Sequence, residues 1–161
     1  MIKPALWALL IIVSLILQAS LLPLFAYNGI RPDLLLVITV SAGLLFGREH
    51  GVAIGFFAGL LQDLASGGIF GLNTLPKLLL GFAAGTIERK VFKEHILLPL
   101  TAVMLATIAS YGLLLLLLIV LGYKVDLIAA AVHNLLPLVI YNMIFAVPVH
   151  WVVHRLGRQE H

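Results

Sequence analysis

The sequence predicts an all-α, polytopic membrane helix bundle with six transmembrane helices, and two observations carry this prediction. Of the 161 residues, 62% are hydrophobic and 11% are charged, whereas soluble domains average about 45–50% and about 25%. The charged residues are clustered in short turns. Between these turns lie apolar stretches, several near the length of about 20 residues that a membrane-spanning helix needs. We therefore expect a single transmembrane domain, residues 1–161, nearly all of which lies in the lipid bilayer.

This composition excludes several classes of protein. Too little polar side chain remains for the surface of a soluble enzyme, and a disordered chain is far less hydrophobic. The net charge of +3 is too small for a nucleic-acid-binding surface. There is no cysteine, and the G-x-S-x-G, H-E-x-x-H and G-x-x-x-x-G-K motifs are absent. We predict a protein that is not an enzyme and has no cofactor and no metal site.

Turn-forming and charged residues separate the first three predicted spans. After span one, a loop is predicted up to Asp33, and Pro32 suits the first turn of the next helix. A polar turn at residues 47–51 separates spans two and three, and Gly67 and Gly68 end span three. The first apolar run resembles a signal peptide but exceeds its hydrophobic region of about 7–15 residues, so we expect it to remain as a span. These spans cover residues 5–27, 33–46 and 52–65.

The last three predicted spans differ in length. Span four ends at the most polar loop of the chain, residues 88–95, and span five ends at a short turn, residues 123–126. Pro137 and Pro148 are expected to kink span six. Spans two to four are short, because about 14 helical residues rise only about 21 Å. They either extend beyond these boundaries or make this half of the protein thin or re-entrant. Spans four to six cover residues 70–87, 96–122 and 128–153.

The basic residues predict the orientation. Six spans place both termini on one side, Arg31 and Lys124 on the other, and Lys77 within span four. On the side of the termini lie Lys3, Arg48, Arg89, Lys90, Lys93, Arg155 and Arg158. Because basic residues accumulate on the cytoplasmic side, we predict a multi-pass protein of the bacterial inner (plasma) membrane with both termini in the cytoplasm.

Glycines spaced four residues apart mark the centre of the chain. Gly51, Gly55 and Gly59 share one face of span three, and Gly81 and Gly85 share one face of span four. Small residues at this spacing let two helices approach closely in lipid. Spans three and four are expected to pack on each other through these faces, and the alternative is that a partner's helix occupies the groove.

A few polar residues lie within the predicted spans. Asp63 and Lys77 are expected to pair near the outer surface, with a ligand or proton site as the alternative. Asn73 shares the face of Lys77, one helical turn earlier. Interhelical hydrogen bonds are expected for Asn142 and also for His133 and Asn134. His150 and His154 have the spacing of two metal ligands, but no third ligand lies near them in the sequence.

Four segments, taken together, make the chain resemble the rod shape-determining MreD family. They keep the family's order and spacing over essentially the whole chain. The chain departs from the family at Pro76-Lys77, where apolar or aromatic residues are more usual. The segments are Arg31-Pro32-Asp33-Leu34-Leu35-Leu36; Gly55-Phe56-Phe57-Ala58-Gly59-Leu60-Leu61-Gln62-Asp63; Gly71-Leu72-Asn73-Thr74-Leu75 with Gly81-Phe82 and Gly85; and Leu136-Pro137 through Tyr141-Asn142.

The resemblance implies a non-catalytic scaffold of the machinery that elongates the cell wall and maintains rod shape. Its expected direct partner is MreC, through the transmembrane helix or periplasmic stem of MreC. Indirect partners would be MreB, RodA and a class B penicillin-binding protein. The glycine face formed by Gly55, Gly59, Gly81 and Gly85, with Pro32 and Asp33 nearby, is predicted to accept MreC. Spans one, five and six are alternative interfaces.

A second function follows from the similarity in fold between this family and the substrate-binding S-components of energy-coupling-factor vitamin transporters. An S-component is expected to carry an alanine-xxx-alanine pair on span one. Here Ala5, Ala8, Ala19 and Ala26 include no pair four residues apart. An S-component would also line an outer pocket with polar and aromatic residues, and the predicted outer loops are short. Both points favour the scaffold.

Overall fold

The computed structural model describes residues 4–26, 28–87 and 97–158, which form six helices. Helix α1 spans Pro4–Ser20 and is followed by a short 3-10 turn at Leu22–Phe25; α2 spans Leu34–Phe46, α3 Arg48–Ser66, α4 Thr74–Thr86 and α5 Leu97–Val120. Leu127–Ala129, a π-helical segment at Ala130–Leu135, and Leu136–Arg158 follow one another without a break and together make α6. The predicted all-α membrane bundle is confirmed.

Three of the described helices are long and apolar enough to cross a membrane on their own. These segments are Pro4–Leu24, Leu97–Val120 and Leu127–Gly157. Helices α2 and α4 have only 13 residues each, which corresponds to a rise of about 20 Å. The shortness expected for spans two and four is therefore real, whereas α3 has 19 residues and extends beyond the predicted span three.

Helix α2 is the centre of the bundle. All of its residues from 34 to 44 are buried, and it packs against α1, α3, α4, α5 and α6. Its sequence permits this position, since α2 is apolar on every face and can be covered by other helices on all sides. One group of core residues joins α2 to α1, α3 and α6, and a second group joins it to α4, α5 and α6.

Several helix boundaries differ from the sequence prediction: the α-helix of α1 ends at Ser20 rather than near residue 27, α6 continues to Arg158 rather than ending near residue 153, and two helix starts are shifted. The predicted polar turn at residues 47–51 is reduced to Gly47, whose φ of +90° reverses the chain, so Arg48 already begins α3. Helix α4 begins at Thr74 rather than near residue 70. The reason is that residues 67–73 form a turn held by the carboxylate of Asp63, as described below. The break predicted at Gly67 is confirmed, since Gly67 adopts the left-handed conformation with φ of +63°.

Helix α6 accommodates its two prolines without interruption. The π-helical segment at Ala130–Leu135 ends two residues before Pro137, whose missing N–H removes one hydrogen bond from the preceding turn. Pro148 lies inside the final helical stretch. Asp126 begins α6, and its side chain accepts hydrogen bonds from the backbone N–H groups of Ile128 and Ala129. The polar loop predicted at residues 88–95 and Lys3 lie outside the described residues.

The α5–α6 hairpin extends past the start of α2. Asn142 of α6 accepts a hydrogen bond from the N–H of Asp33 and donates one to Thr107 of α5, so both helices lie beside the start of α2. The 13 residues of α5 beyond Thr107 add a rise of about 20 Å. We call residues 115–136 the arm; Ala130 is its one buried residue. We call the end of the bundle where α2 and α4 begin the Asp33 end.

Candidate partner-binding site and its polar core

The polar core of the bundle begins at Asp33, the residue that precedes α2. Its Oδ1 accepts a hydrogen bond from the backbone N–H of Leu36 at 3.0 Å, which caps the helix. This capping role suits the sequence, because Asp is among the best residues for satisfying the free N–H groups of a first helical turn. Pro32, immediately before it, is buried. Both residues predicted to bind a partner therefore belong to the start of α2.

Lys77 of α4 forms an ion pair with the same carboxylate. Its Nζ lies 2.6 Å from Asp33 Oδ2, and the lysine side chain is only 1% exposed, against 17% for the aspartate. An unpaired ammonium at this depth costs several kcal/mol in desolvation. The pair joins α4 to the start of α2 and cancels both charges.

The predicted ion pair between Asp63 and Lys77 is therefore wrong. Asp63, near the end of α3, is 1% exposed and binds the start of α4 instead. Its two oxygens accept hydrogen bonds from the N–H groups of Gly71, Asn73 and Thr74, from the Asn73 side-chain amide, and from the Thr74 hydroxyl. The N–H groups at the start of a helix have no partner within the helix, and here they bind the carboxylate of Asp63. Lys77 therefore pairs with Asp33 instead.

Asn142 extends the polar core to α5 and α6. Its Oδ1 accepts a hydrogen bond from the Asp33 N–H at 2.7 Å, and its Nδ2 donates to Thr107 Oγ1 at 3.0 Å. Thr107 in turn donates to the Val103 carbonyl. Asn142 and Thr107 are fully buried. Thr107 was not among the predicted site residues, although the polar residues at positions 107, 110 and 111 share one face of α5 and indicate a polar stripe that faces inward.

The glycines bring α3 and α4 into backbone contact. A β-carbon at Gly59 would lie 2.5 Å from Thr74 Cα, and one at Gly85 would lie 2.5 Å from Arg48 Cα. At Gly55 and Gly81 the clash would be with the backbone of Lys77 and of Gly51. This is the expected arrangement, in which spans three and four pack on each other through their glycine faces. It corrects the prediction that the glycine face accepts a partner's helix, because α3 and α4 cover it for each other.

Two other groups of polar residues lie apart from this core. His133 and Asn134 are exposed on the arm, whereas interhelical hydrogen bonds were expected for them. His150 and His154 lie near the end of α6, where Arg155 stacks over Trp151 at 5.0 Å. Within the described part of the chain, no three histidine, aspartate or glutamate residues are close enough to hold a metal ion.

A small recess opens beside Asp33. Its volume is about 60 Å³, and its polar walls are formed by Asp33, Asn73, Thr107, Ser110 and Tyr111. Leu114 and Leu138 close it on the side of the arm. The recess thus joins the start of α2, the turn before α4, and the hairpin of α5 and α6.

Comparison with protein families identifies the family of the chain. Residues 1–159 match the family described as rod shape-determining protein MreD. The chain belongs to the MreD family. Searches of curated proteins and of solved structures gave no match. The match covers essentially the whole bundle, including all the residues of the polar core. As an MreD-family chain with three long apolar helices, the protein is an inner-membrane protein with a role in rod shape determination.

Proposed function

We propose that this chain is a non-catalytic membrane scaffold that binds MreC and so links it to the machinery that builds the wall of an elongating rod-shaped cell. MreB, RodA and a class B penicillin-binding protein are its indirect partners. Membership of the MreD family supports the role in shape determination. One observation carries the binding function. The arm extends beyond the other helices with its surface exposed, although it belongs to two of the three described helices that are long and apolar enough to cross a membrane.

The proposed binding surface is the side of the arm that extends beyond the Asp33 end of the bundle. The starts of α2 and α4 lie about 20 Å lower along the hairpin. The exposed apolar residues of the arm can pack against the side of a transmembrane helix. They are Leu116, Ile119, Val120, Leu121, Leu127, Ile128, Val132 and Leu136. This surface replaces the glycine face, and it lies on spans five and six, which were among the alternatives.

The polar residues of the arm add to this argument. His133 and Asn134 are exposed in the second and third turns of α6, among residues that face lipid in a lone protein. Side chains of this kind cost free energy in hydrocarbon and form hydrogen bonds to other helices when these are present. A helix of MreC lying against the arm would supply such partners.

The proposed orientation has six spans with both termini in the cytoplasm. Arg48 at the start of α3 and Arg155 near the end of α6 lie at the end of the bundle opposite Asp33, in agreement with the positive-inside rule. Cysteines introduced at Arg48 and Tyr123 test this, since the chain has none of its own. In intact spheroplasts, an impermeant thiol reagent should label Tyr123→Cys and not Arg48→Cys. The reverse pattern would contradict the orientation.

Site-specific photocrosslinking tests the binding function. A photoreactive phenylalanine at Val132 on the arm is compared with one at Phe57 on α3, because the two side chains are equally exposed at 56% and 57%. With MreC from the same genome co-expressed, the probe at Val132 should give a covalent adduct with MreC and the probe at Phe57 should not. If MreC neither crosslinks at Val132 nor co-purifies with the unmodified chain, the scaffold proposal fails.

The vitamin-transporter alternative has less support in the geometry. Small-molecule sites occupy about 300–1,000 Å³, whereas the polar recess at the Asp33 end measures about 60 Å³. Its carboxylate is already bound to Lys77. A vitamin would require α5 and α6 to move away from α2 and break the hydrogen bonds of Asn142.

A further inference from the structure

The recess at the Asp33 end has a chemistry that the scaffold function does not use. Its polar walls are the carboxylate of Asp33, the side-chain amide of Asn73, and the hydroxyls of Thr107, Ser110 and Tyr111. These groups come from three parts of the chain that meet only in the folded bundle. Thr107 and the Asn73 amide nitrogen already have partners within the fold, so the hydroxyls of Ser110 and Tyr111 are the groups that offer hydrogen bonds to a ligand.

The charge of the recess favours an uncharged ligand. Asp33 supplies the one negative charge among the lining residues, and Lys77 Nζ lies 2.6 Å from it. The ion pair has no net charge, so the recess gives neither a cation nor an anion the attraction of an uncompensated charge. The remaining polar groups are neutral amides and hydroxyls, which act as both donors and acceptors.

The position of the recess excludes hydrocarbon as its normal occupant. The arm continues for several turns beyond it with exposed leucine, isoleucine and valine side chains, so the recess lies at membrane depth in a chain that spans the bilayer. Lipid tails form no hydrogen bonds, and each polar group left without one in hydrocarbon costs several kcal/mol. A hydrogen-bonding ligand removes this cost.

We propose that the recess is a binding site for uncharged, water-sized hydrogen-bonding ligands, filled in the isolated protein by a small cluster of ordered waters that exchanges with the aqueous phase outside the cell. A volume of about 60 Å³ holds about two to four waters. These waters bridge Asp33 and Asn73 to the hydroxyls on α5.

Cysteine substitution measures this access directly. Ser110→Cys places a nearly isosteric thiol in the wall of the recess, and Ala109→Cys is its matched control. Ala109 lies at the same depth on α5 but is exposed on the lipid-facing surface. A small impermeant methanethiosulfonate is added to spheroplasts that express either variant without MreC. Because only a hydrated thiol ionises and reacts, Ser110→Cys should react at least about tenfold faster than Ala109→Cys.

The charge of the reagent tests the neutrality of the site. Cationic and anionic methanethiosulfonates should label Ser110→Cys at rates within about threefold of each other, because the Asp33–Lys77 pair has no net charge. A strong preference for either reagent would overturn the assignment to uncharged ligands. Equal rates for Ser110→Cys and Ala109→Cys would overturn the hydrated site itself. Neither result depends on binding of MreC.

Radiolytic footprinting of the unsubstituted protein keeps the proposal testable if Ser110→Cys does not insert. Synchrotron radiolysis in ¹⁸O-labelled water marks side chains that contact bound water. Tyr111 in the recess should incorporate the label faster than Phe57, which faces lipid with 57% of its surface exposed. Faster labelling of Phe57 would contradict the bound waters.

Discussion

Lys77 Nζ lies 2.6 Å from Asp33 Oδ2, and this contact connects α4 to the residue that caps the central helix α2. The lysine side chain is almost completely buried. Removing one member of such a pair is more harmful than removing both, because it leaves an uncompensated charge in a medium of low dielectric constant.

A double-mutant cycle should detect this pair. Lys77→Met alone should lower the free energy of unfolding by about 3–5 kcal/mol, and Asp33→Asn with Lys77→Met should lower it by less. Unfolding in mixed detergent micelles gives the values. The matched cycle between Asp63 and Lys77 should show almost no coupling, because Asp63 bonds to the start of α4 instead. Strong coupling of Lys77 to Asp63 would contradict the structure.

Asp63→Asn should destabilise the turn before α4. The carboxylate accepts five hydrogen bonds, and an asparagine has only one oxygen to accept them. We expect a loss of about 3 kcal/mol or more, measured by the same unfolding assay. Asp126→Asn is the control, since Asp126 caps an exposed helix start with two bonds and should cost about 1 kcal/mol or less.

Gly55→Ala and Gly59→Ala should each prevent close packing of α3 and α4. The added methyl group would collide with the backbone of Lys77 or Thr74, which cannot move aside as a side chain can. We expect a large loss of folded, monodisperse protein on size-exclusion chromatography. Gly112→Ala on α5 is the control, because nothing lies within 4 Å of its β-carbon position. It should be neutral or stabilising by up to about 1 kcal/mol.

Asn142→Leu should loosen α6 from the start of α2. It removes a hydrogen bond from the Asp33 N–H and one to Thr107, and leaves the part-buried N–H of Asp33 unsatisfied. The expected cost is about 2 kcal/mol in the free energy of unfolding. Thr101→Val is the control, since Thr101 is exposed and bonds only to the carbonyl of its own helix. A cost as small as that of Thr101→Val would show that the polar core does not hold α6.

The sequence by itself determined the class of the protein, the approximate positions of its helices, and the packing of one helix pair. The density of apolar residues and the position of polar turns predicted six helices, since a helix in lipid must be apolar over most of its length. The spacing of Gly51, Gly55 and Gly59 predicted close packing of α3 on α4, because a period of four residues marks a single helical face. These features depend on residues that are near one another in the chain.

Only the tertiary structure decided which polar groups meet. The sequence predicted Asp63 as the partner of Lys77, whereas the actual partner, Asp33, is 44 residues from Lys77 in the chain. The pairing depends on which groups the folded chain brings together. The carboxylate of Asp63 accepts hydrogen bonds from the backbone N–H groups before α4. The packing of the buried helix α2 places Asp33 beside Lys77. The covered glycine face, the exposed arm and the polar recess follow from the same packing, because surfaces become covered or free only when all six helices are in place.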